Sequence, residues 1–309
     1  MANFPPSPGV TLNELDNTLI APNPQKPGAA IVGPTVKGPV NLPLTVTSYS
    51  EYKTLFGGAL LSGSQAYSYF TSITTQNYFE NGGKTLLVTR VASGPFTPAD
   101  CDLITANDFV DEGYVVSGYL AASSSFSLET ISEGVIMNSS GSVATGSGAL
   151  TNGTADNIRV EITSVNTGSG TFDLIVRRGD DLDNQKIILE SFNKLSLDPT
   201  SPRFISAVIG DEKLSYNPTT NQIESTGDYP NRSRHIRVKE VNNLTPNYLD
   251  SAGQISDPTY PDLLPIVQNN AFGDAVGDVV AGANFYDTIG AQTQGVVDAD
   301  YKYWRIIQK

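Results

Sequence analysis

The first regular pattern of hydrophobic positions lies between residues 28 and 92. Two short apolar runs, 29–32 and 44–47, are each stopped by turn or capping residues, which predicts two buried strands. A third run, 84–92, alternates between two faces and predicts another strand. Because helical patterns fill the space between these strands, we expect a small α/β layer here.

Two helices are predicted within this layer. Ser48, with Glu51 three residues later, is typical of a helix N-cap, and Gly57-Gly58 is typical of the end of that helix. A longer helix is predicted from about Ser64 to Gly82-Gly83. One face of this longer helix would carry Ala66, Phe70, Ile73 and Asn77.

Residues 1–27 hold six prolines and show no sustained periodicity, which predicts an extended arm. Val10 and Leu12 alternate with polar neighbours, as in a strand, until the phase changes at Leu15. A strand this short is stable only when it pairs with another strand. The alternative for this segment is a disordered tail.

The pattern changes after residue 93. Small residues dominate from about 117 to 156, which predicts loops and short surface hairpins. The three alternating runs between residues 158 and 189 predict an antiparallel β-sandwich inserted after the first layer.

The remainder of the chain predicts a helix from Asp198-Pro199 to Val208 and a strand from His235 to Val241. The run from Tyr301 to Ile307 is typical of the beginning of an element rather than the end of a protein. We therefore expect an α+β multidomain protein with four parts: an extended arm (1–27), an α/β segment (28–92), an inserted β-rich domain (93–210) and an irregular or β segment (211–309).

Composition narrows the classes of function. The chain has 309 residues, and 32 acidic against 19 basic side chains give a net charge of −13. A field of that sign repels phosphates and anionic lipids, so we expect no nucleic-acid partner. No apolar run approaches the ~18 residues of a membrane span, so we expect no direct membrane insertion. The start lacks a signal sequence, so we expect the chain to be synthesised in the cytosol. With Cys101 and His235 as the only residues of their types, neither an internal disulfide nor a Cys/His metal site is expected.

Three motifs could carry chemistry, and each has a plainer interpretation. Gly83-Lys84-Thr85 matches the end of a phosphate-binding loop, but it follows a predicted helix, so we interpret it as a helix C-cap. The segment from Asp180 to Asn184 offers oxygens to calcium but lacks a bidentate glutamate, which favours a solvated turn. His235 has no serine or carboxylate at motif spacing, which favours a structural role. We therefore expect no enzyme, no cofactor and no metal.

Two blocks of the sequence resemble the tail sheath proteins of contractile phages and related injection machines. The first block, Ser7 to Ala92, contains Ser7-Pro8-Gly9-Val10, Gly33-Pro34-Thr35, Lys37-Gly38-Pro39, Phe56-Gly57-Gly58 and Asn81-Gly82-Gly83-Lys84 before Arg90-Val91. The second block comprises Phe172 to Arg177, Glu190 to Pro199 and Ser201 to Phe204. The resemblance depends on the order and spacing of these motifs.

The resemblance implies a structural subunit of a virion tail. Such subunits form hexameric rings in a helical sheath around a tail tube, and the sheath contracts to drive the tube through the host envelope. The implied partners are further copies of the chain, the tail tube protein, and the baseplate and tail terminator proteins. Assembly in the bacterial host cytoplasm and a part in viral genome ejection are implied as well.

The resemblance also assigns a role to the arm, which would add a strand to a neighbour's sheet. Such a head-to-tail contact does not close within one ring, so it can propagate along a helix. The implied intersubunit residues, with Val10 and Leu12 facing the neighbour, are Pro8, Gly9, Val10, Leu12, Leu15 and Leu19.

The sequence departs from the family at its C-terminal end, where we find no counterpart of the domain that completes the inner layer. We therefore expect residues 1–309 alone not to form ordered tubes. The alternative function is a phage or bacterial surface adhesin or fibre protein that binds a glycan or receptor through loops 117–156. A glycosidase is a third possibility and would need two carboxylates about 5–10 Å apart in a cleft.

Overall fold

The computed structural model of this protein describes residues 28–62, 65–92, 94–105, 124–139, 147–217, 219–220 and 222–277. Within these residues the protein is mostly β, with few helices and several small sheets. The predicted arm and the run from 301 to 307 lie outside the described residues.

The α/β layer is a three-stranded sheet with two helices. Strand β1 (Ala29–Gly33) pairs in parallel with β5 (Leu86–Arg90), which pairs antiparallel with β2 (Pro43–Val46). Helix α1 (Tyr49–Phe56) and helix α2 (Phe70–Glu80) follow β2 in the chain. The strands and α1 share a small apolar core, whose buried members are Val46, Tyr52, Phe56, Leu86 and Val88.

The predicted N-cap of α1 is confirmed. The Ser48 hydroxyl accepts a hydrogen bond from the Glu51 amide at 3.1 Å, and the helix ends at Gly57 as expected. The Glu51 carboxylate turns back to accept from the amide of Thr47 at 2.8 Å, one residue earlier than in a standard capping box.

The predicted start of the second helix is wrong. Residues 60–67 form a hairpin of β3 (Leu60–Ser62) and β4 (Gln65–Tyr67), so α2 begins only at Phe70, with Tyr69 as its N-cap residue. Ala66, expected on the helix, therefore lies in β4. A helical spacing of apolar residues does not exclude a short hairpin ahead of the true helix.

The β-sandwich consists of two antiparallel sheets that share one apolar core. The strands of the four-stranded sheet, in spatial order, are β10 (Ile188–Ser196), β9 (Thr171–Arg178), β8 (Ile158–Asn166) and β14 (Gln268–Ala271). The strands of the three-stranded sheet are β13 (Ile236–Val241), β7 (Ser124–Glu133) and β6 (Pro98–Ile104). The rings of Phe126 and Phe172 stack between the sheets with centroids 5.4 Å apart.

The prediction of loops throughout 117–156 is wrong for β7, the central strand of its sheet. Residues 124–130 are all buried. Phe126 and Leu128 belong to the core, while Ser127 donates to Asp102 at 2.5 Å and Glu129 accepts from Arg237 at 2.5 Å. Because its polar side chains find partners on neighbouring strands, a serine-rich sequence can be buried here.

Strands β13 and β14, which come from residues 211–309, pair with strands from residues 93–210. The predicted strand 235–241 is confirmed as β13. The exact boundaries of the four predicted parts stay predictions.

The predicted helix 198–208 is largely wrong, since only α3 (Ile205–Ile209) is helical. Asp198 instead closes a turn by accepting from the amide and hydroxyl of Thr200, at 2.9 and 2.7 Å. The remaining described elements are a single 3-10 turn (Val135–Met137), α4 (Tyr260–Leu263) and an exposed hairpin of β11 (Lys213–Asn217) and β12 (Gln222–Thr226).

Candidate functional site

The outer edge of β1 is well suited to accept another strand. Strand β1 pairs with β5 on one side, in a register without bulges, and has no partner on its other side within the described residues. Its sequence, Ala29 to Gly33, contains no charged residue and no proline. We call the backbone of these residues on the side away from β5 the β1 edge. Exposed strand edges of this kind are templates for strand pairing.

Three edge strands of the sandwich differ because they carry features that oppose pairing. Strand β10 has two register shifts and places Lys194 at a φ of 54°. Strand β13 has a shift between Val238 and Glu240, around Lys239, and β6 has two shifts and begins at Pro98. Bulges, lysines and prolines are the common means of protecting edges, so these three sandwich edges are guarded and the β1 edge is not.

The predicted arm, residues 1–27, directly precedes β1 in the sequence. The Gly28 amide donates to the Thr85 carbonyl at 3.2 Å, so the residue just before β1 already bonds to the residue just before β5. The intersubunit residues expected from the sequence, Pro8, Gly9, Val10, Leu12, Leu15 and Leu19, lie outside the described residues, and their role stays a prediction.

Helix α2 presents apolar side chains to the outside of the layer. Phe70 is 51% exposed and Ile73 is 41% exposed, although their spacing is typical of a core-facing stripe. The buried side consists of Thr71, Ser72 and Thr75. Ser72 lies 3.2 Å from the Tyr49 hydroxyl of α1, and Thr75 donates to the Thr71 carbonyl at 2.7 Å, so these two hydroxyls have partners inside. The buried Thr71 hydroxyl has no hydrogen-bond partner among the described groups.

Buried charges lie where the layer meets the sandwich, a region we call the joint and define as residues 37–40, Arg90, Phe96, Glu133 and Asp156. Arg90 Nη1 donates to the carbonyls of Gly38 and Glu133, at 2.6 and 2.8 Å. The Glu133 carboxylate accepts from the Val40 amide at 3.1 Å. Arg90 thereby ties the end of β5 to both the 37–40 turn and the end of β7.

A second contact of the joint is the ion pair of Lys37 with Asp156, whose Nζ and Oδ1 atoms lie 3.7 Å apart. Lys37 Nζ also donates to the Asp156 carbonyl at 3.1 Å. Burial lowers the pKa of Lys37 and raises the pKa of Asp156 and of Glu133. Burial likewise lowers the pKa of Arg90, to about 10. The joint is therefore a partly desolvated polar contact, which fixes orientation rather than adding large apolar burial.

Gly38 explains the Lys37-Gly38-Pro39 motif and supplies a first testable prediction. Its φ of 109° disfavours other residues, and a methyl group at this position would lie 2.7 Å from the Phe56 ring. We expect Gly38→Ala to lower the free energy of unfolding by about 1–3 kcal/mol, measured by urea unfolding. Gly273→Ala is the matched control, because nothing lies within 4 Å of its added methyl group. Equal stability of the two variants would contradict a strained turn at Gly38.

The turn from Asp180 to Asn184 is wrongly predicted as fully solvated, because Asp181 is buried. Its carboxylate lies 2.5 Å from Arg159 Nη2 and accepts two bonds from Arg177, at 2.9 and 3.0 Å. Glu161 also accepts from Arg177, at 2.6 Å. This buried ion cluster, Arg159, Glu161, Arg177 and Asp181, holds the β9–β10 turn against β8.

The other candidate motifs have structural roles. Gly82, with a φ of 89°, follows the end of α2, and Gly83 donates its amide to the Tyr78 carbonyl at 3.0 Å, which confirms a helix C-cap. Burial lowers the pKa of His235. The His235 amide and carbonyl bond to Ser233 and Ile131.

The described residues contain no group of three His, Cys, Asp or Glu side chains able to hold a metal ion. None of the helices that the structure describes is long and apolar enough to cross a membrane.

An open cleft of about 350 Å³ lies between β6 and β14, lined by residues 100–102 and 270–274. Its carboxylates include Asp100, which pairs with Lys239, and Asp102, which accepts from Ser127. Burial raises the pKa of Cys101, beside them, to about 12, so that thiol stays protonated near neutral pH.

Comparison with known proteins finds similar solved structures but no sequence match. No family model and no curated protein matches the chain. The chain is similar to a sheath tail protein from Listeria innocua, with 10% identity and a TM-score of 0.36 over 88% of this chain and 39% of that one. It is similar to a sheath tail protein from Desulfitobacterium hafniense, with 12% identity and a TM-score of 0.26 over 76% and 40%. The chain spans about two fifths of the length of each of these proteins.

Proposed function

We propose that this chain is a structural subunit of a contractile tail sheath and that copies of it are joined by strand addition. The β1 edge carries this proposal, because an unguarded strand edge follows directly after a predicted arm that needs a partner strand. The ordered motifs of the first block support it as well. Their glycines Gly38, Gly57 and Gly82 all have positive φ, so the motif spacing reflects turns that the layer needs.

In the proposed assembly the arm of one copy pairs with the β1 edge of the next. Such a contact is heterologous, so it extends from ring to ring rather than closing on itself. Hexameric rings would stack around a tail tube and contract, with the tail tube, baseplate and tail terminator proteins as further partners. The chain would belong to the virion tail after assembly in the host cytoplasm, and its role would be mechanical rather than catalytic.

The experiment that tests strand addition uses a variant lacking residues 1–20 and a synthetic peptide of residues 1–27. We expect the deletion variant to remain folded and monomeric, and to bind the peptide. Hydrogen–deuterium exchange should then show new protection at 29–33 and unchanged exchange at the guarded edge, 188–196. The control peptide carries Val10→Asp and Leu12→Asp, which should weaken binding at least ~10-fold because in the proposed pairing both side chains would face the neighbour.

Two outcomes would overturn this proposal. Polymers of normal appearance from the deletion variant, seen by negative-stain electron microscopy, would show that the arm is dispensable. Peptide binding that protects β10 instead of β1 would show that the acceptor edge is misassigned.

A further inference from the structure

His235 lies next to the joint, along one edge of β7. The Ile131 amide donates to the His235 carbonyl at 2.9 Å, and the Glu133 amide donates to the Gly38 carbonyl at 3.3 Å. Amides two residues apart in a strand point to the same side and are about 7 Å apart. The 37–40 turn therefore continues this edge of β7 from the point where the pairing with β13 ends, which makes His235 its neighbour.

The carboxylates of this region already have partners. The Glu190 carboxylate of β10 accepts from the Ser233 hydroxyl and from the Arg234 amide. Nη1 of Arg234 lies 3.4 Å from a carboxylate oxygen of Glu51 in α1. The charged groups of the elements that meet here are the cations Lys37 and Arg234 and the carboxylates Glu51, Glu133, Asp156 and Glu190.

A proton on the His235 ring would add a cation beside Lys37. Lys37 is only 8% exposed, so water screens its charge weakly. The electrostatics agree with this geometry: burial lowers the pKa of His235, the charges of Lys37 and Arg234 lower it further, and only Glu190 acts in the opposite direction. The neutral ring is therefore the form that suits the joint.

We propose that protonation of His235 opens the joint, so that the α/β layer separates from the sandwich while each part stays folded. The docked form binds the proton less readily than an open form in which His235 has its ordinary pKa of 6.5. Docking is thus favoured above about pH 6.5 and weakens as the pH falls from there toward the lowered pKa of the docked form. This inference goes beyond the sheath proposal and does not depend on it.

Hydrogen–deuterium exchange of the full chain tests the opening at about pH 7.5 and about pH 5, which bracket the titration of a histidine. Wild type and His235→Gln are compared at each pH, so that the intrinsic effect of pH on exchange cancels. The variant stays neutral and keeps the bonds of residue 235 to Ser233 and Ile131, because both use its backbone. We expect acidification to speed the exchange of segments 38–41 and 131–134 in the wild type relative to the variant.

Segment 171–178 in β9 is the internal control for this experiment. It should exchange more slowly than the joint in both proteins, because opening the joint leaves the sandwich folded. A ratio of wild-type to variant exchange that does not change with pH would overturn the proposal. Exchange at the joint that is no faster than exchange in β9 would overturn it too, since the transition would then be global unfolding.

NMR titration of the wild-type protein supplies a second measurement that needs no variant. His235 is the only histidine of the chain, so its ring gives a single signal that needs no assignment. Its pKa is expected below 6.5, and acidification should increase opening by about tenfold for each unit of that difference. A pKa of 6.5 or higher would overturn the proposal. A lowered pKa without the matching increase in exchange would also overturn it, because His235 would then be an ordinary buried histidine.

Discussion

Replacing Asp181 with asparagine is expected to lower the free energy of unfolding by about 3–5 kcal/mol. The carboxylate lies between two arginines, and all three side chains are fully buried. Asparagine has nearly the same shape but no charge, so Arg177 would keep only Glu161 and Asp183 as carboxylate partners, and Arg159 only the half-exposed Asp183 at 3.4 Å. Asparagine would also lose one of the acceptor oxygens that serve both arginines and the Ile187 amide. Urea unfolding followed by circular dichroism measures the change.

Asp180→Asn is the control for this prediction, since it makes the same chemical change one residue earlier. Asp180 pairs with Arg178 at 2.5 Å, but both side chains are about one third exposed. Water screens such a pair, so the expected loss is only about 0–1 kcal/mol. Similar losses in the two variants would show that the Asp181 cluster contributes no more than a surface pair.

The ion cluster could not be predicted from the sequence, although the strands that build it could. Arg159 and Glu161 alternate with apolar residues in β8, a pattern that normally assigns such residues to a solvent face. Arg159 is nevertheless fully buried, because Asp181 from the β9–β10 turn lies against it. Only the pairing of β8 with β9 brings these residues together, and that pairing is not local information. The excess of charged residues near 177–186 was the one available signal, and it also fits an ordinary surface turn.

Predictions succeeded where the determining interactions are local. The Ser48 cap is formed by residues three positions apart, and the glycines after α1 and α2 end each helix through their own backbone geometry. Predictions failed where partners come from distant sequence. Phe70 and Ile73 have helical spacing, but whether that face meets the core depends on how α2 packs on α1, where Ser72 and Tyr49 approach closely.

The proposed assembly site also combines features that are local in the sequence with features that are not. The arm lies outside the described residues and stays a prediction, which rests on prolines and a brief alternation in the local sequence. The β1 edge could not be predicted, because a strand becomes an edge only through the order β1-β5-β2. The burial of Arg90 could not be predicted from the sequence either, because its partners Gly38 and Glu133 are 52 and 43 residues away along the chain.

Phe126→Ala is expected to lower the free energy of unfolding by about 3–5 kcal/mol, since it leaves a cavity at the centre of the sandwich. Phe126 is fully buried in β7, stacks on Phe172 of the opposite sheet, and packs with the apolar residues of both sheets. Its neighbours in sequence are serines, so the side chain supplies much of the apolar contact that this strand makes. The same urea unfolding experiment measures the effect.

Phe70→Ala removes the same side-chain atoms from the exposed face of α2 and serves as the matched control. Because Phe70 is 51% exposed, its loss should change the stability of the monomer by no more than about 0.5 kcal/mol. A small effect of Phe126→Ala, comparable to that of Phe70→Ala, would mean that β7 is a surface hairpin after all, as its serine-rich sequence suggests. A large difference between the two variants would instead place β7 in the core, which reduces the loop surface that an adhesin could use between residues 117 and 156.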